Sequence, residues 1–155
     1  MAANEKIMEV RAIENGTVID HIPSEALFKI ISILKLDRDP HRMTFGLNLE
    51  SKRMGSKAII KINDRYCLQE EINRIALVAP MAIVNTIQDF KVTEKRSVTV
   101  PQHIEGFVRC ANPKCITNCE PVTTAFRVIE RDGEIALKCR YCEKETRQSQ
   151  MELIK

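Results

Sequence analysis

Apolar and polar residues alternate with a period of two over several short stretches in the first hundred residues. Alternation over Ile7 to Ile13 and over Thr17 to Ile22 predicts two strands. Asn15-Gly16 lies between them and supplies the positive φ of a tight hairpin turn. The same pattern predicts four further strands: Met43 to Leu49, Ala58 to Ile62, Ile83 to Ile87 and Phe90 to Thr93.

Two other segments place apolar residues three and four positions apart, which predicts amphipathic helices. The first begins at Pro23 and carries Ala26, Leu27, Ile30, Ile31 and Leu34, and the second ends before Pro80 and carries Leu68, Ile72, Ile75, Ala76 and Ala79. The resulting order is β-β-α-β-β-α-β-β. Short turns between strands favour antiparallel pairing, so we expect an α+β, ferredoxin-like unit: one mostly antiparallel sheet with two helices on one face.

The pattern changes after a loose linker from Lys95 to Gln102. Two short strands, Ala125 to Ile129 and Glu134 to Leu137, are joined through Asp132-Gly133, which is a strong hairpin signal. We therefore expect two domains, residues 1–100 and a small antiparallel β domain of residues 101–155.

Composition narrows the classes of protein to which this chain could belong. It has 155 residues, is 44% hydrophobic and carries a formal net charge of +3. No apolar run is long enough to span a bilayer, and Met1 to Val10 resembles no signal peptide, so we expect a cytoplasmic protein without a membrane partner. Aromatic residues, on which nucleic-acid bases could stack, are scarce, so nothing demands a nucleic-acid partner.

Five of the six cysteines lie between positions 110 and 142. Cys110-x4-Cys115 and Cys139-x2-Cys142 have the spacing of two metal-binding knuckles, and the predicted hairpin brings them together. Four thiolates leave no open position on a tetrahedral metal ion, so we predict one structural Zn²⁺. The negative charge of this cluster would be offset by nearby cations: Arg109, Lys114, Lys138, Arg140 and Lys144. Such a short domain rarely folds on its apolar core alone.

Two alternatives for the cysteines remain open. Cys115-x3-Cys119 is also a conceivable knuckle, although Asn112 and Pro113 suit a tight turn after Cys110. The thiols could also be isolated or form a redox pair. We expect Cys119 and Cys67 to bind no metal.

Motifs for catalysis are absent from the sequence. It lacks the combination of His-x-Glu with a following Pro-Cys-x-x-Cys that zinc deaminases need, a glycine-rich phosphate loop and a Gly-x-Ser-x-Gly elbow. A zinc ribbon of this size is usually an interaction module, so we expect a protein that is not an enzyme. A zinc-ribbon factor that binds nucleic acid is the alternative, and it would need a basic face.

The run from Gly16 to Pro23, GTVIDHIP, resembles the regulatory chain of aspartate carbamoyltransferase. The resemblance continues over almost the whole chain through GLNL at 46–49, MG at 54–55, IKI at 60–62, AP at 79–80, VNTI at 84–87 and LKCRYCEK at 137–144. It implies a chain without catalytic activity that controls pyrimidine biosynthesis. Such chains form dimers, dock on catalytic trimers through the zinc domain, and bind ATP as an activator and CTP, with UTP, as inhibitors.

The resemblance also implies an effector site in the N-terminal domain. The backbone of Val10, Ala12 and Ile13, on the first strand, would contact the base edge. Asp20 would reach the ribose, while His21 and Lys95 would meet the phosphates. The remaining implied residues are Lys61 near ribose and base, and Asn85, Ile87 and Val92 lining the base. Arg11 and Phe90 depart from the residues common in the family and flank this pocket.

Overall fold

The computed structural model describes residues 10–154. The N-terminal unit consists of β1 (Gly16–Ile22), α1 (Leu27–Ile33), β2 (Met43–Ser51), β3 (Gly55–Asn63), α2 (Gln69–Ile75), β4 (Ile83–Gln88) and β5 (Lys91–Ser97). The strands form one sheet in the order β2-β3-β1-β4-β5, and every neighbouring pair is antiparallel. The first four strands and the two helices have the ferredoxin-like arrangement that the sequence predicts.

Both helices pack on one face of this sheet. Alternate residues of the central strands, including Ile19, Ile60 and Val84, are fully buried against Leu27 and Ile30 of α1 and against α2. The residues between them point to the opposite face, because successive strand side chains alternate. The helix layer thus leaves the other face of the sheet available to the N-terminal segment and to ligands.

Gly16 begins β1 at a point where no side chain fits. Its φ is +136°, and a Cβ placed there would lie 1.9 Å from the Ile62 carbonyl oxygen. The predicted hairpin at Asn15-Gly16 is wrong, since residues 10–13 form no strand; the rest of that predicted strand, residues 7–9, lies outside the described residues. Asn15 instead ties two turns together: its carbonyl accepts from Asp64 N–H and its side chain from Asp89 N–H.

The expected linker is shorter than the sequence suggests. β5 runs to Ser97, so Lys95 belongs to a strand and pairs with Asn85. Leu68, expected on the buried face of the second helix, precedes α2 and is 67% exposed. The other predicted strands are confirmed with ends shifted by a few residues.

The C-terminal unit is a small antiparallel β structure. Its elements are β6 (His103–Glu105), β7 (Val108–Arg109), α3 (Ile116–Cys119), β8 (Ala125–Arg131), β9 (Glu134–Cys139), β10 (Glu145–Arg147) and β11 (Glu152–Leu153). One sheet has the order β10-β9-β8-β6, and β11 pairs with β7. The hairpin at Asp132-Gly133 is confirmed, with φ of +54° and +79° at the turn.

The two units contact each other through apolar packing, a hydrogen bond and a cation–π contact. Leu77, which follows α2, is buried in the core of the C-terminal unit beside Val108 and Met151. Its carbonyl accepts a hydrogen bond of 3.0 Å from the Gln148 side chain, and the Arg74 guanidinium lies 5.1 Å from the Phe107 ring centroid. Within residues 10–154, no helix is long and apolar enough to cross a membrane.

Candidate functional site

Four cysteine sulfurs converge in the C-terminal unit. Cys110, Cys115, Cys139 and Cys142 place their Sγ atoms within 4.8 Å of one another. The Sγ atoms of Cys110 and Cys142 are 3.6 Å apart, and those of Cys115 and Cys139 are 3.7 Å apart. Three of the four residues are buried and Cys142 is half-buried. The structure therefore brings together the four residues that the spacing selects.

Backbone turns at the two knuckles hold these sulfurs in place. In the first, Cys115 N–H donates to the Asn112 carbonyl, and the Asn118 amide donates to the carbonyls of Cys110 and Asn112. In the second, Glu143 N–H donates to the Cys139 carbonyl. Tyr141 N–H points at the Cys139 sulfur at 3.4 Å. Amide groups aimed at sulfur favour the thiolate form that a metal needs.

The dimensions of this cluster fit Zn²⁺. Tetrahedral Zn–S bonds of about 2.3 Å require sulfurs about 3.8 Å apart, close to the 3.6 and 3.7 Å found here. Without a cation, burial raises the pKa of Cys110 to about 12 and raises that of Cys139. Crowded buried thiols resist joint ionisation, so a divalent cation is the natural counter-charge for them.

The other two cysteines lie apart from the cluster. Cys119 is exposed at the end of α3, and its Sγ donates to the Pro113 carbonyl at 3.9 Å. Cys67 is buried in the N-terminal core, where burial raises its thiol pKa. The choice of Cys110 over Cys119 as the partner of Cys115 thus agrees with the geometry.

A second group of polar residues lies on the helix-free face of the five-stranded sheet. Val18 pairs with Lys61 on one side and with Asn85 on the other, and Asn85 pairs with Lys95. Residues directly opposite on neighbouring strands point to the same face. One row across three strand pairs therefore carries Lys61, Val18, Asn85 and Lys95. The adjacent row carries Ile87 opposite Val92.

Asp20 and His21 lie at one end of this face, where β1 has a bulge between Ile19 and Ile22. His21 has a φ of +59°, and its N–H donates to its neighbour's carboxylate, Asp20 Oδ1, at 2.7 Å. The Lys57 ammonium lies 2.8 Å from the same oxygen. The bulge turns both side chains towards the edge of the row.

Residues 10–13 cover part of the same face. The Lys61 ammonium donates to the carbonyls of Val10 and Arg11, at 3.0 Å each. Ile13 is buried, whereas Ala12 is exposed. The structure places this segment beside Lys61. The prediction that residues 10–13 belong to a strand is wrong, because the carbonyls of residues 10 and 11 pair with an ammonium group and not with a sheet neighbour.

Charged and buried polar groups meet on this face. Lys61 is only 5% exposed, and burial lowers its pKa, an effect that the nearby Asp20 carboxylate opposes. Two further side-chain atoms here, His21 Nδ1 and Asn85 Oδ1, are buried without a hydrogen-bond partner in the described structure. Buried polar atoms without partners are rare in proteins. A ligand with both acceptors and donors would satisfy them.

Two residues of this face were missed by the sequence reasoning. Val18 stands at the centre of the row, and Lys57 reaches Asp20 from β3. The alternation of β1 gives a signal for Val18, since it shares a face with Asp20. The position of Lys57 depends on the register of β1 with β3, which the sequence does not show.

Comparisons with known proteins match both units of the chain. Residues 8–99 match the family described as aspartate carbamoyltransferase regulatory chain, allosteric domain, and residues 102–152 match its metal binding domain. A relative named aspartate carbamoyltransferase regulatory chain from Bacteroides fragilis is 49% identical over 99% of this chain and 100% of its own length. A relative of the same name from Porphyromonas gingivalis is 52% identical over 95% of this chain and 97% of its own length. Another of that name, from Yersinia enterocolitica, is 46% identical over 89% of this chain and 90% of its own length.

Proposed function

The chain belongs to the family of aspartate carbamoyltransferase regulatory chains, which are non-catalytic subunits, and from this premise we propose that it is a nucleotide-controlled allosteric subunit. ATP activates the catalytic trimers through it, while CTP and UTP inhibit them, so that it controls pyrimidine biosynthesis. Residues 1–100 bind the nucleotide, and residues 101–155 hold Zn²⁺ and dock on the catalytic chain.

One observation supports the nucleotide site above all others. Lys61 and Lys95 lie at the two ends of one row that also carries Val18 and Asn85. A buried imidazole nitrogen and a buried amide oxygen on this face lack hydrogen-bond partners in the described structure. A nucleoside triphosphate supplies anionic oxygens for the cations and polar base atoms for the amide. Lysine binds phosphate as a point charge, so a phosphate loop is not required.

The family resemblance implies a role for each residue of this site. Asp20 contacts the ribose, and His21 and Lys95 contact the phosphates. Lys61 lies near the ribose and the base. The base packs against the apolar side chains of Ile87 and Val92, next to Asn85, and its polar edge meets the backbone of Val10, Ala12 and Ile13.

The zinc site organises the docking surface for the catalytic chain. Ile116 directly follows Cys115 and Tyr141 directly precedes Cys142, and the two side chains are 45% and 50% exposed. Apolar side chains of this size, exposed on rigid knuckles, are typical of protein contacts. Folding of the knuckles around Zn²⁺ therefore creates the surface that binds a catalytic trimer.

Self-association into a regulatory dimer is consistent with the edge of the five-stranded sheet. β2 is an edge strand, and Phe45 and Leu47 on it are each 41% exposed. An edge with two large apolar side chains favours pairing with a second chain.

All six cysteines are free thiols, which is typical of a reducing compartment, so we place the protein in the cytoplasm.

Isothermal titration calorimetry with ATP and CTP on the full chain tests the nucleotide site. Lys95→Ala removes a phosphate contact common to both nucleotides, so both affinities should fall about ten- to hundredfold, as expected for a charge-assisted contact of roughly 1.5–3 kcal/mol. Asn85→Ala should instead change the ratio of the two affinities, because Asn85 faces the base.

Lys138→Ala, which removes the same charge from β9, serves as the matched control and should leave both affinities unchanged. Undiminished binding of both nucleotides in Lys95→Ala would remove this nucleotide site. The zinc site would be unaffected by that outcome.

A further inference from the structure

A cavity of about 620 Å³ lies between the two units of the chain. On one side it is bounded by α1, the turn after it and Arg74 of α2. On the other side it is bounded by Phe107 and by residues 151–154, which include β11. Neither the cysteine cluster nor the Lys61 face contributes to its lining. Its volume is in the range of small-molecule sites, which often form where two domains meet.

One wall of this cavity is apolar. Phe28, in the first turn of α1, is 67% exposed, although an aromatic ring in water forfeits the free energy of burial. Ile154, on the opposite side, is 43% exposed, and Phe107 and Leu153 are half-buried between them. An apolar group of a ligand would therefore find contacts on both units.

The other lining residues are mostly cations. Lys29, Lys35, Arg38 and Arg74 converge on the cavity from α1, the turn after it and α2. None of the four is within 4.0 Å of a carboxylate in the part of the chain that the structure describes. The lining carboxylates are Asp37 and Glu152, and Glu152 lies 3.8 Å from Arg109.

Four cations against two carboxylates give the lining an excess of positive charge. Lys35 reaches it from a left-handed backbone conformation, with a φ of +54°. The Arg74 guanidinium is held over the Phe107 ring and so stays at the junction of the two units. Like charges that share a cleft raise its affinity for an ion of the opposite sign.

We propose that this cavity binds a small organic anion with an apolar body. Its carboxylate, sulfonate or phosphate group contacts Lys29, Arg38 and Arg74, and its body packs against Phe28 and Ile154. A purely apolar ligand would leave the cations without counter-charge, and an inorganic anion would leave the aromatic wall exposed. Since the ligand touches both units, its binding also restrains their relative motion.

Fluorescence titration of the full chain with 8-anilinonaphthalene-1-sulfonate, an aromatic anion, tests the proposal. The probe should bind with enhanced emission, and added KCl should weaken it. Lys29→Gln combined with Arg38→Gln should lower the affinity at least about tenfold. Lys52→Gln combined with Arg53→Gln removes the same charges from the exposed turn between β2 and β3 and should have no effect.

Two further measurements locate the probe and test the role of its charge. Ser32→Trp fills the cavity without changing charge and should abolish the enhancement, with folding checked by circular dichroism and zinc content. The uncharged N-phenyl-1-naphthylamine should bind at least about tenfold more weakly than the sulfonate. Equal binding of the two probes, or equal effects of the two charge pairs, would overturn the proposal.

Discussion

Replacement of single cysteines distinguishes the zinc ligands from their neighbours. The Sγ atom of Cys110 lies 3.6 Å from that of Cys142, whereas Cys119 is exposed and its Sγ donates to the Pro113 carbonyl. Cys110→Ser therefore removes one of four thiolates, and Cys119→Ser removes none. The two substitutions are chemically identical and lie nine positions apart, so each serves as the control for the other.

The size of the effect follows from the energy of a closed four-thiolate site. Structural Zn²⁺ contributes about 10–16 kcal/mol in small metallo-domains. One ligand in four corresponds to roughly 3–4 kcal/mol, and serine offers only a neutral hydroxyl in its place. Because each 1.4 kcal/mol is a factor of ten, Cys110→Ser should bind Zn²⁺ about a hundred- to a thousandfold more weakly.

Competition with a chromophoric zinc chelator, 4-(2-pyridylazo)resorcinol, measures this difference directly. The wild-type chain and Cys119→Ser should hold one Zn²⁺ per chain at chelator concentrations that strip Cys110→Ser. The reverse result, with metal lost from Cys119→Ser and retained in Cys110→Ser, would show that the Cys115-x3-Cys119 pair forms the first knuckle. Equal affinity in all three proteins would refute a site closed by four thiolates.

Three other predictions test the fold and its link to assembly. Removing Zn²⁺ with a mercurial and a chelator should unfold the C-terminal unit but leave the five-stranded sheet folded, as measured by circular dichroism. The metal-free chain should then no longer sediment with catalytic trimers, and its co-sedimentation would contradict the docking role. Gly16→Ala should lower the free energy of unfolding in urea by more than about 3 kcal/mol, because its Cβ meets a backbone oxygen, against roughly 1–2 kcal/mol for Gly133→Ala, where only a positive φ is strained. In the folded state the pKa of Lys61 lies below its ordinary value near 10.5. The free energy of unfolding of the wild-type chain should therefore rise relative to that of Lys61→Met as the pH increases from the folded-state pKa towards 10.5. Parallel curves of unfolding free energy against pH for the two proteins would refute the burial of this charge.

Much of the fold could be predicted from local patterns. The central strands alternate cleanly because one face is covered by helices, and Asp132-Gly133 marks its hairpin because both residues take positive φ. Asn15-Gly16 carries the same signal and misleads. There the glycine is needed because Ile62 approaches its backbone closely, and the asparagine bonds two distant turns. A dipeptide alone does not distinguish these two uses.

The two sites differ in how far the sequence reveals them. Cysteine spacing selects the four sulfurs, since few other uses explain two close pairs in a short reducing-type chain. The row of Lys61, Asn85 and Lys95 comes from three different strands, and only the sheet register brings them together. Family resemblance names these residues, but neither periodicity nor spacing predicts that they are neighbours.

The bonds from Lys61 to residues 10 and 11 have a consequence for any anion that approaches this face. The ammonium group already satisfies two backbone carbonyls at 3.0 Å, so a ligand that takes this charge competes with the chain's own N-terminal segment. The observed affinity for the ligand then reflects the difference between two free energies: that of Lys61 binding the ligand and that of Lys61 binding the two carbonyls. Substitutions in that segment change its hold on the Lys61 ammonium and can therefore tune the nucleotide concentration at which the site responds.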